Sequence, residues 1–170
     1  MSALHQISAQ ANYLAQVLTD YAKDNGGQCQ VVSNMRDMWN QASQNSQIPM
    51  IYVTWTGESP WSSSKNLAAF THRVSRDWTV GIKRGRGFTA VRGDTLSKTT
   101  STIPFFDVVE DVRDIIRSQL GISEDLGQDD IRAKEWQLGN VIMDGKLITF
   151  TTKNDLPPIQ NTIDAPITQP

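Results

Sequence analysis

At 170 residues and 38% hydrophobic content, the chain suits one domain with a core of its own, and two domains would strain that composition. A formal net charge of -2 excludes the overall basic footprint of a nucleic-acid binder, and no apolar run approaches the about 20 residues that a helix needs to span a bilayer. The one cysteine, Cys29, excludes an internal disulfide, and with only His5 and His72 there is no Cys/His set for structural zinc.

The first element is a helix. Leu4, Ile7, Ala11, Leu14, Leu18 and Tyr21 recur at three- and four-residue steps, which puts them on one stripe, and Asn25-Gly26-Gly27 stops the run. CQVVS (29–33) reads as a short strand and MRDMWNQA (35–42) as one or two helical turns. IPMIYVTW (48–55), rich in branched and aromatic residues, is a strand, and GESPWSSSKN (57–66) has the composition of a loop. Val74, Trp78, Val80 and Ile82 then alternate with polar neighbours, as a strand with one wet face requires; Arg76 breaks the apolar phase, and Trp78 belongs to the core.

GIKRGRGF (81–88) has two chemical readings besides a bend. Gly85, Gly87 and Ala90 match the loose spacing of a dinucleotide loop, but the polar VRGDTLSKTTST that follows lacks the helical face whose N-terminus would hold a pyrophosphate. An RNA-recognition strand needs stacking aromatics, and Arg86 stands where one is required, leaving Phe88 alone. A basic, glycine-bent turn between strands is the reading that remains. Arg92-Gly93-Asp94 spells an adhesion tripeptide, with no secretion signal to support it.

Pro104 opens the clearest helix, with Phe105, Val108, Val109, Val112, Ile115, Ile116 and Leu120 on its apolar face. Asp107, Glu110, Asp111 and Asp114 share another face, where a metal site could form but which a solvated surface opposite the apolar stripe explains fully. Beyond an acidic linker (124–130), EWQLGNVIM and KLITFTT flank Asp144-Gly145, the expected turn of a hairpin. Residues 154–170 hold four of the seven prolines and are expected to form an extended tail after a domain spanning 1–153.

Charge is segregated along the chain. From Lys65 to Lys98, eight bases face two acids, a net of +6; from Asp107 to Glu135, nine acids face four bases, a net of -5. Nucleophilic catalysis needs a Ser or Cys with an oriented base, and His5 and His72 have no supporting motif, so no catalytic residue, cofactor or metal is expected. Cys29 is expected to be a buried, inert thiol. Trp61, in a Ser/Pro loop, points to a partner surface.

The order of parts is an amphipathic N-terminal helix, the strand IPMIYVTW, a long polar loop, RVSRDWTVGIKRG, the helix PFFDVVEDVRDIIRS and the hairpin QLGNVIMDGKLITFTTKN. This resembles the tail terminator (tail completion) proteins of tailed bacteriophages over roughly residues 4–153. The resemblance implies a single α/β (α+β) domain with helices packed on one face of a mainly antiparallel sheet. It also implies a hexameric ring that caps the tail tube, stops its polymerisation and meets the head connector. Its partners would be further copies of itself, the tail tube protein, the connector and, in a contractile tail, the sheath, with DNA only passing through the lumen. The chain would be assembled in the host cytoplasm and end in the virion, with no enzymatic activity. Candidate contact residues are Arg73, Arg76, Lys83, Arg84, Arg86 and Trp61 on the basic side and Asp107, Glu110, Asp111 and Asp114 on the acidic side, because rings close through unlike patches. Other readings of the same features are a connector, neck or minor tail subunit, a nucleic-acid module using the basic 73–92 segment, and a small enzyme built on the carboxylate helix.

Overall fold

The computed structural model describes residues 6–44, 48–60, 72–85, 105–119 and 131–156. The described elements run α1 (Gln6–Asp24), β1 (Gln28–Val31), α2 (Met35–Gln44), β2 (Met50–Pro60), β3 (His72–Lys83), α3 (Phe105–Gln119), β4 (Arg132–Leu138) and β5 (Val141–Leu156). The strands form one five-stranded mixed sheet in the order β1-β2-β3-β5-β4, an α+β fold in which β1 and β2 are parallel and the other pairs antiparallel. No described helix is long and apolar enough to cross a membrane.

Alternation along the strands decides which helix covers which face. Ile51, Val53, Trp78, Val80, Ile82, Ile148 and Phe150 point to one side. There they meet Ala11, Leu14 and Leu18 of α1 and Val108, Val112 and Ile116 of α3. Each fully buried Leu, Ile or Val contributes roughly 1.5–3 kcal/mol, so the stripes read from sequence are what dock these two helices. Intervening residues Met50, Tyr52 and Leu147 point to the other side, where they pack with Met38 and Ala42 of α2 and with Trp136 of β4. The expectation that all helices share one face is therefore corrected for α2. A parallel pair cannot be closed by a hairpin, so the chain crosses over the sheet between β1 and β2, and α2 is that crossover. Asn34 starts α2 by accepting a hydrogen bond from the Asp37 N–H through Oδ1 at 2.8 Å, an N-cap.

The C-terminal hairpin forms, but its turn is not at Asp144-Gly145. It is Gly139-Asn140, with Gly139 at φ 60°, and Leu138 pairs with Val141 across it. Gly145 lies inside β5, opposite Lys83, where any Cβ would collide with the carbonyl oxygen of Ile82. Glycine at 145 thus answers to a close backbone approach. β2 continues past the expected loop start, because after a bulge between Trp55 and Gly57 it still pairs with β3, Glu58 opposite Arg76. β5 likewise runs to Leu156, with Asn154, Asp155 and Leu156 opposite Val74, Arg73 and His72, which takes the sheet three residues past the expected boundary at 153.

Candidate interaction surfaces

Several residues expected at a surface are used inside the fold. Arg76 is 3% exposed: its Nε donates to Glu58 Oε2 at 3.0 Å, and its two terminal nitrogens donate to Gln10 and Gln6 at 3.1 Å each. A guanidinium on the α1 side of the sheet is acceptable only with such partners, so its break in the apolar phase is a buried polar clamp between sheet and helix. Lys83 is also buried and donates to the Arg84 carbonyl at 3.0 Å. Arg84 lies 5.2 Å from the centroid of the Phe105 ring and 3.6 Å from the Asp144 carboxylate, while its backbone N–H donates to the Asp144 carbonyl. These bases hold β3 to α1, to β5 and to the start of α3. Arg73 is placed in β3 opposite Asp155; Arg86 and Trp61 fall outside the described residues.

The carboxylates of α3 divide. Asp111 accepts a hydrogen bond from Tyr21 of α1 at 2.7 Å, and Asp114 pairs with Arg117 one turn on. Asp107 and Glu110 are exposed, with no ion pair among the described residues, and they flank Phe106, which is 73% exposed. The sequence pattern assigned Phe105 to the core and left Phe106 unremarked; its position next to the apolar stripe, between Pro104 and Asp107, was the available signal.

Two hollows are lined by described residues. One, of about 290 Å³, lies at the sheet end bearing the β4–β5 hairpin and is shared by Phe106, Ile142 and Lys146. Around it the hairpin exposes Leu138, Val141 and Ile142, each close to 60%, an apolar tip of the kind that marks a contact. The other hollow, of about 530 Å³, lies on the α2 face, along the middle of β3 and β5. Its floor is Thr79, Thr149 and Thr151 with Leu147, and Met35 of α2 borders it. Arg132 and Lys134 stand along its β4 side and Asp77 on the other. Sequence reasoning missed these two bases by counting them within the acidic segment; their i, i+2 spacing is the mark of one strand face.

Two titratable groups packed against the core, Tyr21 and Cys29, are held neutral. Burial first, then the hydrogen bond to Asp111 and the charges of Asp111 and Asp107, raise the Tyr21 phenol above its ordinary value. Burial pushes the half-buried Cys29 thiol up to about 12, against a hydrogen bond with Thr19 that lowers it. A thiol so shifted is protonated near neutrality and a poor nucleophile. Among the described residues no group of three His, Cys, Asp or Glu side chains is placed to hold a metal ion. No protein-family model and no curated protein matches the sequence.

Proposed function

We propose that the chain is a virion assembly subunit of the tail terminator kind, which closes a ring on the last layer of a tail tube and blocks addition of the next. The mechanism is steric: subunits bury the edge that a further layer would need, and the outer side of the ring meets the connector. The observation that carries this reading is the distribution of apolar and charged surface among the described residues. An apolar hairpin tip at one end, exposed carboxylates on one face and a base-edged hollow on the other leave three unlike patches directed apart. Unlike patches of that kind suit head-to-tail contacts that close into a ring, whereas a two-fold dimer needs one self-complementary patch. The element order supports the same reading, since the helix, long strands, helix and hairpin of the resemblance are all present, with β1 and α2 added.

Electron microscopy of the purified chain alone and mixed with tail tubes tests it. Rings seated on tube ends are the expected result; a monomer that leaves tube length unaffected would contradict it. A connector, neck or minor tail subunit would use the same patches, and a ring located away from the tube end would favour that assignment. Binding to nucleic acid through the 73–92 segment has lost Arg76 and Lys83 to internal contacts.

A further inference from the structure

We infer that the subunit contact is made by the N-terminal corner of α3 in one copy, entering the threonine-floored hollow on the α2 face of the next. This inference rests on the ring reading and names the patches it would use. The corner presents an exposed phenyl ring, Phe106, with the Asp107 and Glu110 carboxylates beside it at helical spacing. The hollow offers the complement: apolar contact from Leu147 and Met35, hydroxyls from Thr149 and Thr151, and the cations of Arg132 and Lys134 along its β4 side. Charge complementarity selects the occupant. Arg132 and Lys134 edge the hollow against Asp77, whereas Asp107 and Glu110 lie beside Phe106 and the bases near that corner are matched within the subunit, Arg84 by Asp144 and Lys146 by Glu135 across the strands.

Geometry excludes closure within one subunit. α3 covers one face of the sheet and the hollow opens on the other. Asp77 and Thr151 at the hollow lie six residues along the strands from Lys83 and Gly145 at the corner, about 20 Å at the rise of an extended strand. Patches on opposite faces of the sheet cannot meet in a symmetric pair. They join copies head to tail, the arrangement from which closed rings are built.

A charge exchange in trans tests the contact. Glu110→Lys and Lys134→Glu both alter exposed positions outside the two core clusters, so each variant should fold as the parent does. Assembly is read by sedimentation of the full chain, in solution or on tail tubes, wherever the parent assembles. Each single variant is expected to need about tenfold more protein to assemble. An equimolar mixture of the two should assemble like the parent, because alternating subunits pair every lysine with a glutamate, and the double variant should also recover. Parental rings with unaffected single variants, or a mixture that stays dispersed, would overturn this contact while leaving the ring reading in place. That result would also point to an occupant within the same chain, such as the acidic stretch 124–130 that precedes β4. A parent that stays monomeric both free and with tubes would remove the ring reading and the contact together.

Discussion

On one face of the sheet, helices of 19 and 15 residues lie over Ile51, Val53, Trp78, Val80 and Ile148; on the other, one helix of 10 residues covers the end at Met50, Tyr52 and Leu147, and threonines follow. The residue types track the cover. Where a helix lies overhead, the strand positions beneath it are large and apolar. Where no described helix does, Thr149 and Thr151 keep the β-branched shape that a strand favours while offering hydroxyls to water or a partner. The difference separates a face built for stability from one left partly open for contact.

The most damaging change should be Trp136→Ala. Trp136 is 1% exposed and meets Tyr52 and Trp39 edge-on at 6.4 and 6.3 Å, so it supports the whole covered part of the α2 face. A loss of about 3–5 kcal/mol is expected in denaturant unfolding. If the loss were under about 1 kcal/mol, the α2 face would not be a second core. Arg76→Ala comes next, at about 2–3 kcal/mol. It removes the hydrogen bonds to Gln6 and Gln10 and the ion pair with Glu58, but Glu58 is a third exposed and recovers water, which places the cost below that of a fully buried pair. Tyr21→Phe removes one hydrogen bond between α1 and α3 and should cost about 1 kcal/mol.

Alkaline pH sharpens the same comparison, because both raised groups sit on the α1/α3 face. Tyr21 and Cys29 hold their protons more tightly folded than unfolded, starting from 10.0 and 9.0. Above about pH 9 the unfolded chain releases protons first, so stability falls as pH rises, and the contribution is fully present below that point. The Cys29→Ala, Tyr21→Phe double variant should show a shallower alkaline decline in urea midpoint. Smallest of all, Thr151→Val should change stability by less than about 0.5 kcal/mol, since it lines an open hollow with no described helix above it. If the contact inferred above is correct, the same substitution still weakens assembly.

Much of the covered face was legible in the sequence. The stripe Ala11, Leu14, Leu18 and the face Phe105, Val108, Val109, Val112, Ile116 are periodic enough to name the buried residues outright, and Trp78 was placed by its phase. The second face was harder, because α2 is short and its inward residues Met38 and Ala42 make no long stripe. The hairpin turn was misplaced because two glycine turn signals, Gly139-Asn140 and Asp144-Gly145, lie five residues apart. Only the need to pair β5 along the full length of β3 chooses between them. For the candidate surface, sequence identified the acidic helix but assigned contacts to Arg76 and Lys83, which the fold consumes. Burial of a lone arginine depends on glutamines 66 and 70 positions away, which no local pattern contains.

The proposed assembly role is measured most directly by imaging tail tubes grown with and without the purified chain. Closed rings at one end of tubes that have stopped growing are the expected result. Tubes that lengthen at the same rate in its presence, with the chain dispersed as single copies, would contradict it.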